Sequence, residues 1–103
     1  NFNRNGEHFN VGETFAGIPF NIGLDIVEEL TKMIPEGMTL AQMSLRWILD
    51  FDAVTVVIPG SKSPLQIPDN ASACHLPSLS KSLHEKLSIF YDAKIVQHIR
   101  GKY

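Results

Sequence analysis

The sequence predicts an α/β chain, mostly helical with one short strand, and three observations carry that prediction. Apolar residues recur at helical spacing across 21–50 and again across 82–99. Between these stretches lies a short apolar run, Val54-Thr55-Val56-Val57-Ile58, followed by Pro59. That run passes directly into Gly60-Ser61-Lys62-Ser63, a polar turn that opens a further helix. A strand apolar on both faces normally sits inside a parallel sheet with a neighbour on either side. No second strand is visible for it to pair with, and each backbone group buried without a partner costs about 1–3 kcal/mol. The strand therefore either pairs across an oligomer interface or belongs to one end of a larger α/β protein; we adopt the second reading.

The elements follow in order. Residues 1–20 carry Asn, Gly, Phe and Pro without a sustained period and read as a long loop. From Asn21 the pattern turns helical, with Ile22, Ile26, Val27, Leu30, Met33 and Ile34 on one face and Pro35 after the last turn. Gly37 marks a turn. Thr39 opens the second helix, and Gln42 three residues on completes a capping box. This helix continues through Met43, Leu45, Trp47, Ile48 and Leu49 to about Asp50. After the 54–58 strand, Pro64 takes a first-turn position in a third helix, and the turn and helix together span 60–75. A Leu76-Pro77-Ser78-Leu79-Ser80 linker leads to a last helix over 82–99. Ser82 and Glu85 offer its capping box, and Leu83, Leu87, Phe90, Tyr91 and Ile95 its packing stripe.

Composition sets the outer bounds. The chain has 103 residues, 44% hydrophobic and 19% charged, which suits one small folded unit rather than a disordered segment. A net charge of −2 argues against a nucleic-acid partner, which would need a basic stripe. The longest apolar runs are too short to span a bilayer. A single cysteine excludes an internal disulfide framework and fits a reducing compartment, hence a cytoplasmic expectation. The first residue is Asn1, not Met, so the expectation is of a chain that has been processed or continues upstream.

The strand-turn-helix order has a chemical meaning. A helix N-terminus directs free N–H groups and partial positive charge at the loop before it, and Lys62 adds a full charge. Such an arrangement is a candidate anion site at the carboxyl end of a buried strand. It is not a P-loop, because the Gly-x4-Gly-Lys-Ser/Thr spacing is missing.

At these residues the sequence resembles the carboxyl-terminal third of an aldo-keto reductase. The resemblance rests on residues 39–47 (Thr39-Leu40-Ala41-Gln42-Met43-Ser44-Leu45-Arg46-Trp47), on Val57-Ile58-Pro59-Gly60-Ser61-Lys62, and on Gln66 with Asp69-Asn70. Phe2-Asn3-Arg4-Asn5-Gly6 and Gly12-Glu13-Thr14-Phe15 are similar to the loop after the seventh strand in one branch of that family. The resemblance implies a (β/α)8 barrel that reduces aldehydes and ketones with NADPH, a fold of about 250 residues with its active site on the loops after the strands. This chain would supply the long loop after strand seven, helix seven, strand eight, helix eight and the closing helix. The cofactor implied is NADP, with a small carbonyl compound as the other partner.

Carried over position by position, Gly60 would allow close backbone approach, and Ser61 would donate through its hydroxyl and N–H. Lys62 would meet the 2′-phosphate, and Ser63 would cap the helix or touch phosphate. Gln66 stands where other branches carry Arg, so positive charge is reduced there. Asp69-Asn70 corresponds to a Glu-Asn pair that reaches the adenine, with Asp one methylene shorter. Pro68 is the awkward departure, since in a helix that starts at Pro64 it removes an interior hydrogen bond and implies a kink or restart near Ile67. Arg4 is a candidate pyrophosphate contact, although a solvated arginine is the better reading. The family's catalytic Asp, Tyr, Lys and His all precede this segment, so the chain alone is expected to be inactive.

Other constellations are discounted. His8, His75, His84 and His98 lack zinc-ligand spacing, so no metal is expected. Cys74 reads as a buried small apolar residue, Trp47 as core, and Glu28-Glu29 and Asp50/Asp52 as solvated acids. Tyr91 and Tyr103 match no catalytic position. Two alternatives stay open: a non-enzymatic, NADP-sensing relative, and a free-standing helical module that dimerises through its strand.

Overall fold

The structure, a computed structural model, describes residues 17–101. Most of the 1–20 loop, including Arg4, lies outside them. Among the described residues there are four helices, α1 (Phe20–Thr31), α2 (Leu40–Leu49), α3 (Gln66–Ser72) and α4 (Lys81–Lys94), with single 3-10 turns at Ala73–His75 and Val96–His98. The chain divides into two units, one of residues 33–85 and the other of the flanking segments.

In the flanking unit, α1 begins at Pro19, whose carbonyl accepts from Gly23 N–H at 2.9 Å. Phe20 is its buried residue. Gly17, at φ +81°, is required where it stands: a Cβ there would lie 2.7 Å from the Arg100 Cβ.

The 33–85 unit carries the candidate site. A turn over Pro35–Met38, with Gly37 at φ +80°, leads into α2. The Thr39 capping box is formed in both directions: Thr39 Oγ1 accepts from Gln42 N–H at 3.1 Å, and Gln42 Oε1 accepts from Thr39 N–H at 3.0 Å. Gln42 is buried, and its Nε2 reaches on to Ser72 Oγ at 2.9 Å and to the Asp69 carbonyl at 3.4 Å. One side chain therefore caps α2 and ties it to α3. Met43, Ala73 and Leu79 form the buried apolar centre beside it.

Three local expectations are corrected. The strand over 54–58 is not formed, and no strand occurs among the described residues. Val56 is 71% and Ile58 89% exposed, so the segment runs free of any ladder. The physical reason was visible in the sequence: an apolar run becomes a strand only when another backbone takes up its N–H and C=O groups.

The second correction concerns α3, which starts at Gln66 rather than Pro64, after a turn closed by Gln66 N–H to the Ser63 carbonyl at 3.1 Å. Pro68 therefore occupies the third helical position, where a backbone N–H has no intrahelical acceptor, and its missing donor breaks nothing. The third concerns α4, where Ser80 replaces Ser82 as the cap. Ser80 Oγ accepts from Leu83 N–H at 3.1 Å, and its carbonyl from His84 N–H at 3.0 Å. Ser80→Ala is accordingly expected to cost about 1 kcal/mol in a urea unfolding measurement, with Ser82→Ala within about 0.5 kcal/mol of the parent.

Candidate functional site

The polar turn after Pro59 is held by the first turns of α3. Gln66 Oε1 accepts from Lys62 backbone N–H at 2.8 Å, and Asn70 Nδ2 donates to Ser61 Oγ at 3.1 Å. Residues 66 and 70 are four apart on one helix and thus share a face, which is why both reach the same turn. Ser61, Lys62, Gln66 and Asn70 are brought together in this way. Asp69 ties α3 back to α2 through its backbone. Its carbonyl accepts from Gln42 Nε2 and from Ser72 Oγ, while its side chain is on the exposed side of α3.

Gly60 is exposed, and a Cβ added there would meet nothing within 4 Å. Its backbone needs no glycine for conformation, since its φ is outside the left-handed range. The chain itself leaves that space open. Ser63 is half-buried, and its carbonyl closes the turn onto Gln66.

Beside the turn runs an apolar groove of about 500 Å³. Leu45, Leu49, Val57, Ile67, Ala71 and Cys74 line it, and Ser61 and Asn70 stand at its edge. Cys74 is exposed rather than buried, with its thiol donating to the Ala71 carbonyl at 2.9 Å. Trp47 is likewise 39% exposed and meets the Phe51 ring edge-on at 4.8 Å. Both residues were expected in a core; in the 54–58 segment Val54 and Val57 are half-buried, and Val56 and Ile58 are exposed.

A buried polar centre of the unit is built on Asp50, a helix-end acid expected to be solvated. Asp50, at the end of α2, has a side chain only 7% exposed. Its Oδ1 accepts from Arg46 Nε at 2.9 Å, and its Oδ2 from Leu79 N–H at 2.9 Å and from His84 Nε2 at 2.7 Å. Burial pushes the carboxyl pKa up. Hydrogen bonds from the His84 ring, the Leu79 amide, the Ser78 side chain and Arg46 outweigh it, and Asp50 titrates below its ordinary 3.8. Arg46 also donates through Nη1 to the Cys74 and Leu76 carbonyls, each at 3.4 Å, which covers the end of the 3-10 turn. The signal that could have found this cluster is Arg46 four residues before Asp50 on one helix face. Its partners across the chain left no local pattern.

Among the described residues, no group of three or more His, Cys, Asp or Glu side chains is placed to hold a metal ion. No helix there is long and apolar enough to cross a membrane.

The turn that carries Ser61 and Lys62, braced by Gln66 and Asn70, borders the apolar groove. The aldo/keto reductase family model matches residues 3–92, and the chain belongs to that family. It is a family of oxidoreductases, whose members generally use NAD(P)H. No curated protein and no solved structure matches the chain.

Proposed function

We propose that this chain is the C-terminal, cofactor-binding segment of an NADP(H)-dependent aldo-keto reductase, part of a (β/α)8 barrel that reduces aldehydes or ketones to alcohols in the cytoplasm. The observation that carries the reading is the Ser61–Asn70 and Lys62–Gln66 bracing of the turn, which lies inside the family match. In this reading Gly60, Ser61, Lys62 and Ser63 take the adenosine 2′-phosphate, and Gln66, Asp69 and Asn70 border the adenosine.

The residues fit that group. The space over Gly60 is open to a ligand, and the Ser61 hydroxyl, accepting from Asn70, keeps its own proton to donate. Lys62 supplies the charge that a phosphate dianion requires. Bound NADPH supplies the hydride; this segment holds and orients the adenosine end. The Asp, Tyr, Lys and His that would act at the carbonyl belong to upstream strands. The exposed 54–58 segment and the apolar groove support the same reading, since neighbouring barrel elements would cover them.

The test is turnover by the full-length protein on a panel of aldehydes and ketones with NADPH. Oxidation of NADPH with alcohol formation is expected. Tight NADPH binding without turnover on any carbonyl would instead favour the cofactor-sensing alternative, and a cooperatively folding dimer of the isolated chain would favour the helical module.

A further inference from the structure

Two side chains on one face of α2 hold the segment that follows the polar turn. Gln42 and Arg46 are four apart on that helix. Gln42 reaches Ser72 and the Asp69 carbonyl, and Arg46 reaches the Cys74 and Leu76 carbonyls beyond them. The polarity of Gln42 is fixed. Thr39 N–H can only donate, so the Gln42 oxygen is committed to the capping box and its NH2 end faces α3. That NH2 donates to Ser72 Oγ at 2.9 Å, and Ser72 Oγ donates in turn to the Asp69 carbonyl at 2.7 Å. This relay ends next to Asn70, whose amide holds Ser61.

α3 depends on such a tie. It is seven residues long, with no buried residue and no side-chain cap at its start. A helix that short has little stability of its own and takes its position from its neighbours. Gln42, by contrast, is buried at the start of a helix capped in both directions. The capping box uses only the oxygen of this residue, and a glutamate would serve it equally well. What glutamine adds is the NH2 group, and that group is directed at α3. We infer that Gln42 is a positioning residue for the bound cofactor. Through Ser72 and Asp69 it sets the placement of α3, and with it the residues that border the adenosine. The inference rests on the NADP(H) reading above and extends it to a residue outside the turn, on a different helix.

The experiment is titration of the full-length protein with NADPH and NADH, beside urea unfolding of each variant. Gln42→Glu keeps an oxygen for Thr39 N–H but presents a second oxygen to α3 in place of the NH2 group. The single Ser72 proton can then serve the carboxylate or the Asp69 carbonyl, and no longer bridges α2 to α3 as now. Ser72→Ala removes the receiving hydroxyl and leaves the capping box whole. Thr39→Ala is the stability control, since it removes half of the cap and leaves the tie in place. Gln42→Glu and Ser72→Ala are each expected to weaken NADPH and NADH alike, by about three- to tenfold, the worth of one neutral hydrogen bond. The loss is shared because the adenosine is common to both cofactors. Thr39→Ala should lower the urea midpoint yet leave both affinities within about twofold of the parent. A Gln42 that only stabilises the fold would lower the midpoint with the affinity of the folded protein unchanged. That result in both Gln42→Glu and Ser72→Ala overturns the inference, as does equal weakening of binding by Thr39→Ala. Lys62→Ala separates the two levels. If it lowers the ratio of NADPH to NADH affinity while Gln42→Glu and Ser72→Ala change neither affinity, the NADP(H) reading stands and this inference falls. If the parent protein binds neither cofactor, both fall.

Discussion

Replacing Asp50 by Ala is expected to lower folding stability by about 3 kcal/mol, seen as a fall in the urea midpoint at unchanged slope. The side chain is nearly buried, and it receives hydrogen bonds from α2, from the linker before α4 and from the first turn of α4. Its removal leaves the Leu79 N–H without its acceptor and the Arg46 guanidinium, only 13% exposed at the side chain, without its carboxylate. Each loss of that kind costs about 1–3 kcal/mol. The effect also has a pH signature. Because the folded carboxyl titrates below 3.8, these bonds contribute fully above that value and are lost as pH falls below it through the folded pKa. Asp50→Asn should therefore flatten the acid limb of the stability profile, and an unchanged acid limb would assign that limb to other carboxylates.

The second large effect is at Lys62. Lys62→Ala in the full-length protein is expected to weaken NADPH binding about 10- to 100-fold, while NADH changes by no more than about twofold. The arithmetic is that of a hydrogen bond to a charged group, about 1.5–3 kcal/mol, with about 1.4 kcal/mol per tenfold in affinity. NADH carries a neutral 2′-hydroxyl in place of the 2′-phosphate, so this ammonium meets no charge there. An equal loss for both cofactors would mean that Lys62 holds the loop or another part of the ligand.

The sequence was legible where the determining contacts are local. Thr39 and Gln42 are three residues apart, so their capping box could be read directly and is formed. Ser80 and Ser82 were a harder case. Both can cap a helix, and the deciding quantity, which amide lies one turn ahead in space, depends on where the linker leaves α4. The strand over 54–58 had the right residues but needs a partner outside the described residues, so composition alone overstated it. Asp50 failed for the opposite reason. A helix-end acid is ordinarily solvated, and only contacts with Leu79 and His84, far along the chain, bury this one. For the candidate site, the residue types were legible and their pairing was not. Gln66 and Asn70 were expected to face a ligand, whereas each commits one atom of its amide to the turn.

The most direct test of the central claim is to titrate the full-length protein with NADPH and NADH under identical low-salt conditions. A 2′-phosphate bound by Ser61 and Lys62 requires NADPH to bind at least about tenfold more tightly, with an advantage that shrinks as salt is raised. Equal affinity for the two, or tighter binding of NADH, would contradict the assignment of this turn to the 2′-phosphate.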